Sequence, residues 1–254
     1  MIAPANNINM IFRLSLAVFL CLLAFMAPAQ AECRNLFSEG NSYTACTVDV
    51  QKQKLALYNA NSEGRPYGNF SNLSDDLASE NKALTFAMNA GMFDQNLKAI
   101  GYYVENGKQL KKLNRRNGAG NFHMKPNGVF YVKGEKAGVM ETEAFAKSGI
   151  KPDLASQSGP MLVIKGEIHP KISQSGTSRK IRNGVGMVDD HTLVFVISNG
   201  PVTFYEFATL FQGELACDNA LFLDGSISAL FSSELGRQDG FLPIGPIVGT
   251  YEMR

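Results

Sequence analysis

The residues best placed to do chemistry stand at the ends of apolar runs. Ala220-Leu221-Phe222-Leu223 is β-prone and stops at Asp224-Gly225-Ser226, after which Ile227, Ala229, Leu230 and Phe231 are apolar again. A carboxylate at the tip of a buried strand loses hydration, so it either finds hydrogen-bond donors or takes part in a reaction. The device recurs where Ala87-Met88 leads into Asn89-Ala90-Gly91 and where Val194-Phe195-Val196-Ile197 leads into Ser198-Asn199-Gly200. Small polar tips of this kind let a rigid sheet present a site. The inventory at these tips is one carboxylate, Asp224, with amides and hydroxyls at the other tips.

Two further clusters extend that inventory. Asn89-Ala90-Gly91-Met92-Phe93-Asp94 offers an amide and a second carboxylate around a glycine that permits close backbone approach. The competing reading is a turn in which Asn89 and Asp94 satisfy local backbone. Ser178-Arg179-Lys180-Ile181-Arg182-Asn183-Gly184-Val185-Gly186 carries three cations, an amide and two glycines. Arg182 is followed by Asn-Gly-Val-Gly and then a strand, so at least one of these cations is expected at a strand start beside a cleft, where an arginine suits bidentate contact with phosphate. The competing reading is a solvated basic face. His123, His169 and His191 are scattered without metal-ligand spacing, and no metal is expected. There is no phosphate-binding P-loop, dinucleotide fingerprint or Gly-x-Ser-x-Gly elbow, so no cofactor is expected either.

The elements that must position these residues are mostly strands. Tyr43 to Leu57 alternates in polarity around Cys46, Val48 and Val50, and Leu84 to Met88 is a short apolar run. Strand-like runs precede Glu105-Asn106-Gly107-Lys108, Lys133-Gly134-Glu135 and Lys165-Gly166-Glu167, which read as hairpin turns. Helices are expected from Ser74, as cap, to about Asn81, over Thr142–Lys147, and over Thr203–Phe211. In the last, Phe204, Phe207 and Phe211 share a face and read as core. No solenoid repeat or linker interrupts the chain. The expectation is an α+β fold: a mostly antiparallel β-sheet system with a few short helices packed on it, in a single domain.

Composition bounds the rest. Arg13 precedes the apolar stretch Leu14 to Met26, and Ala29-Gln30-Ala31 fits the small-x-small rule for signal peptidase. Residues 1–31 therefore read as a secretory signal and 32–254 as the mature domain, with an uncleaved anchor as the alternative. The expected location is periplasmic or secreted, with no stable membrane span after cleavage. Of the four cysteines, Cys33, Cys46 and Cys217 survive cleavage. In an exported protein Cys33 and Cys46 are expected to be bridged. Cys217 is then a buried small hydrophobe or a nucleophile without a recognisable base. A formal charge of +1 gives no electrostatic footprint for nucleic acid. Tryptophan is absent, so any sugar stacking must use the 8 tyrosines or 17 phenylalanines.

Taken in order, the segments Met88 to Phe93, Gln157 to Leu162, Arg182 to Gly186, Val196 to Gly200 and Asn219 to Ser228 resemble the phosphodiester glycosidase family. The early Cys33 and Cys46 look like its small bacterial exported branch. Where relatives often carry Asp-Gly-Gly-Gly-Ser, this chain has Asp224-Gly225-Ser226-Ile227-Ser228, on a bulkier backbone. The resemblance implies hydrolysis at an anomeric carbon bonded to phosphate, on a carbohydrate phosphodiester or envelope glycan. It implies Asp224 and Asp94 as catalytic carboxylates, with Arg182 and Asn183 on the phosphate. Asn89, Gly91, Asn199, Ser226 and Ser228 would contact or orient the substrate. The alternative class is a non-catalytic envelope protein that binds glycan or an anionic polymer in the same cleft.

Overall fold

The computed structural model describes residues 31–224 and 227–254. The expected signal segment, all but Ala31, and Gly225-Ser226 lie outside the described residues. The chain opens with β1 (Glu32–Ser38), β2 (Asn41–Asp49), β3 (Leu55–Tyr58), α1 (Phe70–Ser79) and β4 (Lys82–Asn89). Next come β5 (Tyr103–Glu105), β6 (Lys108–Lys111), β7 (Gly128–Lys133), β8 (Lys136–Glu141), α2 (Thr142–Ser148) and β9 (Leu154–Ser158). β10 (Met161–Ile164), β11 (Glu167–Ile168), β12 (Asn183–Met187), β13 (Thr192–Ser198) and α3 (Phe204–Gln212) follow. The chain ends with β14 (Asn219–Phe222), β15 (Leu230–Ser232), β16 (Arg237–Gln238) and β17 (Ile247–Met253).

Three sheets result, ordered β1-β2-β13-β12-β14-β10-β11, β16-β15-β4-β17-β3 and β6-β5-β9-β7-β8. Among the described residues the strand pairs are all antiparallel, and the architecture is the expected α+β one, with three short helices. The three hairpins expected from Asn-Gly, Lys-Gly-Glu and Lys-Gly-Glu turns all form, as β5–β6, β7–β8 and β10–β11. At the first, Asn106 and Gly107 both take positive φ, 51° and 73°. That is the twist a two-residue hairpin needs.

The sheets enclose one shared core. Phe195 of β13 stands at its centre, with ring centroids 5.3 Å from Phe86 of β4 and 5.9 Å from Phe130 of β7. Side chains alternate across each strand, so Val194 and Val196 of β13 face outward and are covered by α3. Likewise α1 covers Ala87 of β4, and α2 covers Val129 of β7. Each sheet therefore carries one helix on its outer face.

Two helix boundaries bear on the sequence reading. α3 starts where expected, with a capping box in which the Thr203 hydroxyl accepts from Glu206 N and the Glu206 carboxylate accepts from Thr203 N. α1 begins earlier than Ser74, because Asn69 is the cap and accepts from Asn72 N at 2.8 Å. That start puts Phe70, Leu73 and Leu77 on the buried face, which caps and packing together favour over the later one.

The Cys33–Cys46 disulfide is present, joining directly opposed residues of β1 and β2. Cys217 is buried and its thiol is pushed up to about 12 by burial, which keeps it protonated and unreactive. Gly184 and Gly186 have a packing reason. A Cβ on Gly186 would lie 2.5 Å from Cys217 Sγ and 2.7 Å from the Phe211 ring, so α3 closes on β12 only because both side chains are missing. Gly186→Ala is expected to cost about 1–3 kcal/mol of stability by overpacking, read as a lower midpoint in thermal unfolding. Native Cys217 is expected to resist alkylation until the protein unfolds.

Candidate active site

The seam between the first two sheets is held by a pair of buried amides. Asn89 ends β4 and Asn183 begins β12, and both are fully buried. Asn183 Nδ2 donates to the Asn89 carbonyl at 2.9 Å and to Asn89 Oδ1 at 3.2 Å. Asn183 Oδ1 accepts from Asp224 N and from Ser228 Oγ, each at 3.2 Å. Asn89 Nδ2 donates to the Ile227 carbonyl and Asn89 Oδ1 accepts from Ala229 N, each at 2.8 Å. Leu223 N donates to the Asn183 carbonyl at 3.1 Å, completing the ladder beyond β14. Buried amides must find partners. Here those partners are the two flanks of the segment that carries Asp224. Asn89 and Asn183, expected on the substrate, instead fix the geometry of the segment beside it.

Arg182 is likewise corrected. It is 1 % exposed, with Nε donating to the Val202 carbonyl at 2.9 Å and Nη2 to the Ser178 carbonyl at 2.8 Å. Its guanidinium lies 3.7 Å from the centre of the Phe204 ring. Burial pulls its pKa down to about 10. The guanidinium anchors the chain between Ser178 and α3 rather than facing a phosphate. Gly91 approaches protein and not ligand: its N donates to Ser156 Oγ at 3.1 Å, and a Cβ would lie 2.5 Å from the Gln157 carbonyl oxygen. Asp94 makes the turn that was the competing reading, with Oδ1 accepting from Asn96 N at 2.8 Å and Lys98 N at 3.1 Å.

A cleft of about 580 Å³ opens over this seam, with Lys180, Ser198, Asn199, Ser228, Arg237 and Asp239 supplying its polar wall. Arg237 organises that wall. Its Nη1 donates to Asn199 Oδ1 at 2.7 Å and to Thr44 Oγ1 at 2.9 Å, while Nη2 and Nε donate to the Asp239 carboxylate at 2.8 to 3.2 Å. Asn199 Nδ2 donates to Ser42 Oγ at 3.0 Å. Asp239 Oδ2 also accepts from Leu230 N at 3.0 Å, tying β16 to β15. Lys180 is exposed and makes no salt bridge among the described residues. Ser228 Oγ donates to the Asp224 backbone carbonyl at 3.1 Å, and Asp224 is 6 % exposed. Of the expected site residues, Asn199 and Ser228 line the cleft, the Asp224 backbone is bonded to Ser228, and Ser226 lies outside the described residues.

Arg237 and Asp239 carry no signal in the sequence, and Lys180 stands out there only as one of the three cations of its cluster. Arg237 and Asp239 form an Arg-x-Asp pair in a polar stretch with no motif around it, and Arg237 reaches Thr44 across 193 positions of sequence. Among the described residues one His–carboxylate grouping, Asp189, Asp190 and His191, has ligand atoms within 4.8 Å of one another. It occupies the β12–β13 turn, at the opposite end of those strands from the cleft. No helix among the described residues is long and apolar enough to cross a membrane.

The fold and the cleft define an antiparallel α+β protein with a polar site at the seam of two sheets. Residues 82–240 match the phosphodiester glycosidase family model, and the chain belongs to that family. It is 37 % identical over 212 residues to the uncharacterized protein YigE of Escherichia coli strain K12, covering 84 % of this chain and 82 % of that one. Its fold is similar to the catalytic domain of zebrafish N-acetylglucosamine-1-phosphodiester alpha-N-acetylglucosaminidase, auto-inhibited by its pro-peptide. The TM-score is 0.63 at 14 % identity, over 90 % of this chain and 85 % of that one. A Burkholderia pseudomallei protein thought to be exported has a TM-score of 0.55 at 10 % identity, over 83 % of this chain and 74 % of that one.

The two neighbouring cations should respond oppositely to substitution. Arg182→Lys loses the planar stack on Phe204 and one carbonyl contact, and is expected to cost about 1–3 kcal/mol in urea unfolding. Lys180→Ala is expected to change stability by less than about 0.5 kcal/mol.

Proposed function

We propose that this protein is an exported hydrolase that cleaves a sugar-1-phosphodiester at the anomeric carbon. The observation that carries the reading is the convergence of Lys180, Asn199, Ser228 and Arg237 on one cleft, with Ser228 bonded to the Asp224 backbone, in a member of the phosphodiester glycosidase family. A phosphate monoester leaves readily because its second pKa is around 6. The site therefore needs little general acid. It needs a cation for the phosphate and a carboxylate for water or for the oxocarbenium-like centre.

Lys180, assisted by Arg237, is assigned to the phosphate, taking the part expected of Arg182. Asp239 holds the Arg237 guanidinium in the plane that presents it. Asn199 and Ser228 are assigned to sugar hydroxyls. Asp224 acts as base or nucleophile. In the overall reaction a water oxygen bonds to the anomeric carbon and the bond from that carbon to the phosphate oxygen breaks. Free sugar and a phosphate monoester are released.

Asp224→Asn is expected to lower release of free sugar from a sugar-1-phosphodiester by about a thousandfold or more, with an unchanged thermal midpoint. Wild-type turnover in that variant would place the chemistry elsewhere. Binding of the same compound by the wild-type protein with no release would make it a glycan-binding protein instead. Export predicts that protein recovered from outside the cytoplasm begins at Glu32 on N-terminal sequencing. Recovery with residues 1–31 attached would support the uncleaved anchor.

A further inference from the structure

The lining of the cleft also has an apolar part: Ile181, Ile227, Phe241 and Leu242. Phe241 is fully exposed, Leu242 is 58 % exposed and Ile181 46 %. Two separate segments thus bring large exposed apolar side chains to one cleft: the approach to β12 and the loop after β16. Contiguous exposed apolar surface rimmed by polar groups marks a binding surface.

The chemistry of this lip selects among occupants. Ile181, Ile227 and Leu242 offer neither a π-face nor a hydrogen-bonding side-chain atom, and Phe241 adds a π-face but no hydrogen-bonding atom. A second sugar pressed against them would leave hydroxyls buried without partners, which is costly. An alkyl or prenyl chain loses no hydrogen bond there and gains from leaving water. Lys180 stands beside Ile181 between the polar and apolar parts of the lining, where the anionic phosphate of such a molecule would sit. We propose that the substrate is an amphiphilic glycosyl phosphodiester. Its sugar and phosphate lie on the Lys180–Asn199–Arg237 wall, and its aglycone is an apolar chain on the Ile181–Phe241–Leu242 lip. This rests on the phosphodiester reading of the cleft and adds the class of the aglycone.

The probes are non-hydrolysable glycosyl-1-phosphonate monoesters, built in turn on N-acetylglucosamine, glucose and galactose. Their ester group is methyl, decyl or a hexose, and each is titrated calorimetrically below its micellar concentration. The decyl ester is expected to bind at least about tenfold tighter than the methyl ester, with the hexosyl ester level with methyl. The Phe241→Ser/Leu242→Ser variant, altered only at exposed positions, is expected to bring decyl affinity down to that of the methyl ester with an unchanged melting point. Equal binding of decyl and methyl, tightest binding of the hexosyl ester, an undiminished decyl preference in the variant, or no binding of any ester would overturn the inference. The hydrolysable phosphodiesters of the same alcohols separate it from the hydrolase reading. Decyl preference in binding without sugar release leaves the lip standing and removes the hydrolase. Sugar release at equal kcat/KM from all three does the reverse.

Discussion

The contact between Asn89 and Asn183 sets where everything else in the site stands. Two buried amides at the junction of two sheets satisfy one another and the backbone flanking Asp224 on both sides. An orphaned buried polar group costs about 1–3 kcal/mol, and members of a linked network raise one another's worth. The backbone at Asp224 and at Ile227–Ala229 is therefore tied to β4 and β12. Ser228 on the cleft wall and the Asp224 backbone bonded to it are placed by that tie.

The same logic separates two cations that are neighbours but one in sequence. Lys180 is in solvent at the cleft, and Arg182 is enclosed by two carbonyls and the Phe204 face. Residues two apart in a regular strand share a face; Lys180 and Arg182 differ in solvent, partners and role because both precede β12, where the backbone approach is irregular. Arg182 stabilises the α3 side of the sheet, on which Gly184 and Gly186 already let the helix sit close. The outer helix, the buried arginine and the glycine pair form one packing unit beneath the cleft, and the polar wall is built on top of it.

Family membership and the fold agree with that construction. The relative at 37 % identity is uncharacterized, and the zebrafish and Burkholderia structures share the fold at 14 % and 10 % identity. The specific chemistry is therefore argued from the cleft itself, where the polar wall and the apolar lip meet at Lys180 and Ile181.

Much of the frame was legible in the residues alone. Asn106-Gly107 and Lys165-Gly166 dictate their hairpins because few other pairs accept positive φ at such turns. The Thr203–Glu206 box and the Phe207–Phe211 stripe specify α3, and the spacing of Cys33 and Cys46 in an exported context specifies their bridge. These are local signals, or pairings between adjacent strands. The end of an apolar strand at Asp224 was also visible, as was the polar tip at Asn199. Whether Asn89, Asn183 and Arg182 would meet ligand or protein was not, because that depends on which distant carbonyls and amides arrive beside them. The cation and carboxylate of the cleft wall, Arg237 and Asp239, are joined to Thr44 and Asn199 only when β16 folds back against the first sheet. Sequence determined the strands, their turns and the chemistry available at their tips. The tertiary structure decided which polar side chains are consumed by burial and which remain at the cleft, because a buried group must be satisfied by partners that no local pattern names.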